Sequence, residues 1–168
     1  MNLVIAELVT NQRGISRAAL LAPVIFAAHV AEEAPGFVQW FNSLARAGIT
    51  PSLFFSVNAV GFTITIIVAG MLAATRERGA ATLMLAWLGG IMFANAIFHL
   101  VATVVHAKYC PGVITASILY LPYFAWFFSV AVRRLHVPPL IAIGAALLGA
   151  VPMAAHGYLI VFRGERLF

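Results

Sequence analysis

The chain has 168 residues, 63% of them hydrophobic and 9% charged, and its mean hydropathy is +1.01. A water-soluble domain carries roughly 25% charged residues, so the composition excludes one and points to a polytopic membrane protein. The net charge of +5 reads as orientation signals at membrane edges rather than as a nucleic-acid surface, and a single cysteine, Cys110, excludes an internal disulfide.

A membrane helix needs about 20 apolar residues, and five segments are candidates. Residues 1–10 read as a stretch lying on the membrane, ahead of a first span over residues 15–33. Arg13 and Arg17 before the apolar run that follows resemble a signal peptide, but the cleavage context, with His29 and Ala31 ahead of Glu32, is poor. The segment is therefore read as a retained span, ended by Ala34-Pro35-Gly36. Residues 37–46 place aromatics on one side and polar groups on the other. They predict a short interfacial helix with Trp40 at headgroup level, or a lid over a site. The second span covers residues 52–75, with Pro51 near its start. Residues 76–79 form a polar turn before the third span, residues 80–106. Cys110-Pro111-Gly112 breaks the chain ahead of the fourth, residues 111–132. Arg133-Arg134 and Pro138-Pro139 separate it from the fifth, residues 138–162. The expected fold is all-α: one transmembrane domain over residues 1–168, about five spans in a compact bundle plus the interfacial helix.

Five spans put Arg13, Arg17, Arg76, Arg78, Arg133 and Arg134 on one side and Arg46, Lys108, Arg163 and Arg166 on the other. That bias favours a cytoplasmic N-terminus, and a bacterial inner membrane is the expected location.

Two patterns carry the chemistry. The pentapeptide His29-Val30-Ala31-Glu32-Glu33 sets an imidazole and two of the chain's 5 acidic residues at the end of the first span. Ionisable groups at membrane depth are costly and usually functional. Helical spacing predicts that Glu32 and Glu33 both project near His29. On the third span, Asn95, His99, Thr103 and His106 recur at spacings of 4, 4 and 3 and share one face. The plainer reading of such a stripe is hydrogen-bonded packing between helices. The first, third and fifth spans run in the same direction. Their polar ends, carrying His29, Glu32 and Glu33, then His99 and His106, then His156 and Tyr158, therefore fall in one leaflet and are expected to converge. Cys110 reads as a bystander. Small residues at Ala86, Gly90 and Ala94, and at Ala142, Ala146, Ala150 and Ala154, suit close packing within the chain or pairing of two copies as a homo-oligomer.

On these residues the chain resembles the HXXEE-motif family of small integral membrane proteins. The resemblance rests on His29-Val30-Ala31-Glu32-Glu33, on Asn95-Ala96-Ile97-Phe98-His99, and on the Pro111-Gly112 that follows. The family has no settled biochemical function, so the resemblance points to residues and not to a reaction.

The leading expectation is a membrane-embedded metal-dependent enzyme, a hydrolase or oxidoreductase acting on an apolar or lipid-like substrate drawn from the bilayer. Candidate ligands are His29, Glu32, Glu33, His99, His106 and His156, a His/carboxylate set that suits zinc or iron. Glu32, Glu33, Asn95 and Tyr109 are the candidate catalytic residues, with Tyr158 a further proton donor near the mouth and Asn95 orienting a ligand. Haem held by a histidine remains open. One alternative is a metal-free acid/base isomerase or cyclase using a buried carboxylic acid, with Tyr123, Phe124, Trp126 and Phe127 stabilising a cation. Another is a small proton- or metal-coupled transporter. A structural polar cluster without chemistry is the last.

Overall fold

The structure, a computed structural model, describes residues 2–167, with side chains described from Gly14 onward. It is all-helical among the described residues, and five helices are long and apolar enough to cross a membrane: Gly14–Glu33, Pro51–Thr75, Arg78–His106, Val113–Arg134 and Pro139–Arg163. The protein is an integral membrane protein. The first helix starts at Asn2 and runs unbroken to Glu33. The N-terminal stretch is thus continuous with the first span rather than a separate surface segment.

Local chemistry sets the boundaries. Thr50 caps the second span through its side chain, which accepts the Leu53 N–H at 3.1 Å, and Pro51 follows at the first turn. Arg76 and Ala107 end the second and third spans in left-handed conformations at φ 57° and 47°. Gly89 and Gly149 let the third and fifth spans meet backbone to backbone. A Cβ at Gly149 would sit inside the Ala86 carbonyl group, and one at Gly89 inside that of Ala146. Ala142, Ala146 and Ala150 are buried in the same chain, whereas Ala154 is exposed, so most of the small-residue stripe serves intrachain packing.

A short helix, Phe37–Leu44, lies across the end of the bundle. Trp40 is 4% exposed and packs against Phe98 and His106, and Phe41 is also buried. Trp40 thus packs into the protein at the end of the bundle, between the first two spans. The ring is drawn inward because Phe98 and His106 offer it aromatic edges, and the helix is a roof over the polar end of the bundle. Three π-helical turns, Gly89–Ala94, Ala116–Tyr120 and Leu159–Arg163, interrupt the third, fourth and fifth spans. Such turns recur at functional sites because they re-aim side chains. Here the first leads into Asn95, and the second begins just after Thr115 and closes on Tyr120.

Candidate metal centre

Successive residues on an α-helix point about 100° apart, and this separates the two adjacent carboxylates. Glu33, one turn beyond His29, faces the bundle interior and is 4% exposed. Glu32 turns toward the loop between the third and fourth spans. Both stay near His29, as the spacing suggested, Glu33 directly and Glu32 through the Thr115 hydroxyl, but they face different partners.

The interior environment is a three-residue cluster. Glu33 Oε1 lies 3.5 Å from His29 Nε2 and 3.2 Å from His99 Nε2. The two imidazole rings meet edge to face at 4.9 Å, and both histidines are almost wholly buried. Neither Nε2 atom makes a hydrogen bond. The opposite ring nitrogens are engaged: His29 Nδ1 lies 2.8 Å from Thr115 Oγ1, and His99 Nδ1 lies 3.2 Å from Cys110 Sγ. Thr115 commits its hydroxyl proton to Glu32 Oε2 at 2.5 Å. His29 Nδ1 must then donate to Thr115, which leaves Nε2 as a bare lone pair. The Cys110 thiol is directed to the Pro111 carbonyl at 3.8 Å, and its sulfur then accepts from His99 Nδ1 in the same way. Burial, with Glu33 and Glu32 nearby, pushes the Cys110 pKa well up, so it stays a thiol. Two lone pairs thus converge on a carboxylate oxygen in a dry site. That arrangement is repulsive unless a cation or a shared proton lies among the three groups.

The donor set fits a metal ion. His29, Glu33 and His99 each present a ligand atom within 4.8 Å of the others. Tetrahedral ligands at the usual zinc–nitrogen and zinc–oxygen distances stand roughly 3.4 Å apart, and the observed 3.2 and 3.5 Å bracket that edge. Both histidines anchor their far nitrogen on a second group, as metal-bound imidazoles do. Two His and one carboxylate leave coordination positions open, a pattern used by catalytic zinc and by non-haem iron.

The second environment is a clasp. Glu32 accepts the backbone N–H groups of Ile114 at 3.1 Å and Thr115 at 2.7 Å, the Thr115 hydroxyl, and the Tyr109 hydroxyl at 2.7 Å. Gly112 opens the fourth span without a side-chain cap, so the carboxylate of a different helix satisfies these orphan donors and meets the positive end of the helix dipole. The Glu32 hydrogen bond, foremost, holds the Tyr109 pKa up at about 12. Tyr109 is consequently a permanent donor to Glu32 rather than an acid poised near neutrality.

The loop between these groups has almost no spare volume. Gly112 adopts φ 100°, and a Cβ there would stand 2.6 Å from His99 Cε1, 2.9 Å from His29 Cε1 and 3.0 Å from Glu33 Cγ. Only glycine meets both the left-handed backbone and the close approach. Tyr120, fully buried, lies 4.2 Å from His29 between ring centroids, and its hydroxyl has no partner. Phe37 of the roof lies 5.9 Å from the His99 ring.

The other sequence candidates fall around this core. Asn95 lines the cavities beside Glu33, and its Oδ1 is buried without a partner. His156 lines one of the same cavities, but its Nδ1 accepts the Leu167 N–H at 3.2 Å, and it stands outside the three-residue set. His106 and Glu32 also stand outside it, His106 under Trp40 and Glu32 in the clasp. Tyr158 is exposed and stacks on Phe162. Tyr123, Phe124, Trp126 and Phe127 lie further along the fourth span and line neither cavity at Glu33. The aromatic ring at the cluster is Tyr120 instead. Sequence reasoning missed Thr115, Cys110, Gly112 and Tyr120 as site residues. The hints were the Cys-Pro-Gly break directly after the His-bearing third span and the place of Pro111-Gly112 in the family resemblance.

Residues 20–127 match the sequence profile of a family described as protein of unknown function with HXXEE motif. The match takes in His29, Glu32, Glu33, Asn95, His99 and the whole Cys110–Tyr120 segment. No curated protein and no solved structure matches the chain.

Proposed function

We propose, from the premise that this chain belongs to the HXXEE-motif family of unknown function, that it is a membrane-embedded metal-dependent enzyme acting on an apolar or lipid-like substrate. The observation that carries this reading is the pair of unpartnered Nε2 atoms on His29 and His99 set about Glu33 Oε1. His29, Glu33 and His99 are the ligands. Thr115 and Cys110 fix the tautomers of the two histidines, and Glu32 fixes Thr115. A bound zinc or iron would supply Lewis acidity, or redox chemistry in the case of iron, to a hydrolase or an oxidoreductase. Asn95 offers an amide to a reacting group beside Glu33, and Tyr120 offers a hydroxyl beside His29. The roof helix keeps water from the cluster. The end of the bundle holding the site is opposite to Arg17, Arg76, Arg78, Arg133 and Arg134 and shares its side with Arg46, Lys108, Arg163 and Arg166; this bias supports a cytoplasmic N-terminus and a site in the extracytoplasmic leaflet of a bacterial inner membrane.

A second reading draws on the same distances. With no metal, Glu33 and the two imidazoles must share protons, and the site becomes a metal-free acid/base centre. Elemental analysis of gently purified protein separates the two. Near-stoichiometric zinc or iron, lost in both His29→Ala and Glu33→Ala, is expected. No metal after attempted reconstitution would sink the metal reading and leave the acid/base one.

A further inference from the structure

We infer that the site takes a single-chain amphiphile with a neutral oxygen head, such as a long-chain alcohol, ester or aldehyde. Its head rests between Glu33 and Asn95 and its tail lies in the chamber beside them. This inference rests on the reading of the cluster as a reaction centre and names what reaches it.

The chamber has a volume of about 620 Å³, within the range of ligand pockets. Its polar end is His29, Glu33, Asn95 and Tyr120, and the rest of the wall is almost wholly apolar. It is elongated: the third span lines it from Leu83 to Asn95, roughly 18 Å at 1.5 Å per residue. A smaller cavity of about 160 Å³ under the roof helix shares Glu33, Asn95, Val57, Asn58 and Met153 with it, so the two spaces meet at the polar end. The second and fifth spans scarcely touch. Val57 and Val60, which line the chamber, are 50% and 60% exposed, so the chamber is not closed over on their side. The chamber therefore opens sideways into the bilayer, where apolar chains are the solvent.

The head group follows from charge. Neither cavity is lined by Lys or Arg, and the one carboxylate present is Glu33. A phosphate or carboxylate head would bring a second negative charge into a dry site with no counter-charge from the protein. The unpartnered Asn95 Oδ1 asks for a donor, or for the polarised atoms of a neutral head.

Trp87 makes this testable. It lines the chamber, donates to Thr65 Oγ1 at 2.9 Å, and lies roughly 12 Å along the span from Asn95. With Trp40→Phe and Trp126→Phe it is the sole tryptophan. In nanodiscs, dodecanol brominated at its terminal carbon should quench Trp87 saturably, and dodecanol brominated beside the head should quench it less. The matching fatty acid and alkyl phosphate should bind about a hundredfold more weakly. Val57→Phe, at the mouth, should weaken binding about tenfold, and Asn95→Leu about fivefold. Equal quenching by the charged heads, or quenching that Val57→Phe does not change, overturns the inference. Metal measured on the same samples keeps the two readings apart. A metal-free protein that still binds the alcohol sinks only the metal centre. A metal-replete protein without saturable quenching sinks only the amphiphile.

Discussion

Glu32 and Glu33 are neighbours in sequence and opposites in role. Glu33 sits in an interior with two imidazoles that lack any other partner for their inward nitrogens. Glu32 sits in a clasp where every neighbour is a hydrogen-bond donor. One carboxylate is in deficit of positive charge and the other is saturated. The difference teaches that a pair of acids can divide its labour: one builds a site, and the other holds the loop that closes it.

The comparison breaks first, and most severely, at Glu33. Glu33→Ala and His99→Ala should each abolish metal retention, since two remaining ligands do not hold an ion in a dry site. Neither should unfold the bundle, because each removes a repulsive arrangement as well as a ligand. Metal content beside far-ultraviolet circular dichroism checks both halves. Retained metal in Glu33→Ala would end the assignment.

Gly112→Ala should come next. The left-handed backbone alone costs about 1–3 kcal/mol for a residue with a side chain, and the new Cβ would press on both histidine rings. A lower midpoint in thermal unfolding, together with weakened metal binding, is the expected result. A stable, fully metallated Gly112→Ala would show that the loop does not seal the cluster.

These residues also mark what could be read in advance. Five spans follow from hydropathy, since apolar runs of that length have one stable solution in lipid. The convergence of His29, Glu33 and His99 follows from helical spacing plus the direction of the spans, but the same counting also offered Glu32, His106 and His156 as ligands, and these stand outside the cluster. Glu32 was legible as a functional-site residue but not as the clasp, because its partners are 77 to 83 residues away. Cys110, read as a bystander, proved to be the partner of His99. Gly112 stood out only through the family resemblance and as a chain break, and Tyr120 looked like an ordinary aromatic. Their roles depend on how a loop folds back over a helix end, and no periodicity reports that. Trp40 was legible as a residue at the end of the bundle, but its packing on Phe98 and His106 was not, because those rings belong to another helix.

Glu32→Gln sharpens the comparison from the other side. A neutral amide cannot satisfy both backbone N–H groups and two hydroxyls as a carboxylate does. The fourth span loses its cap, and Thr115 loses the acceptor that aligns it to His29. Metal affinity should fall about 10- to 100-fold without vanishing, a graded loss measurable by competition with a chelator. An effect as complete as that of Glu33→Ala would mean that Glu32 is itself a ligand.

The smallest effect belongs to Tyr109, at the rim of the clasp. Its hydroxyl donates to Glu32, and this interaction holds its pKa up at about 12, above the ordinary value of 10.0. A raised pKa means that the folded state favours the protonated phenol. The contribution to stability is thus complete below pH 10 and fades as pH rises through the folded value. The side chain is half exposed, so water competes for the bond and Tyr109→Phe should leave metal content intact. The tyrosinate absorbance of the native chain minus that of Tyr109→Phe should titrate near 12, and in a Glu32→Gln background near 10. A difference spectrum that titrates near 10 in both would detach Tyr109 from the clasp. Glu32 would then be held by the fourth span alone, and its contrast with Glu33 would rest on Ile114 and Thr115.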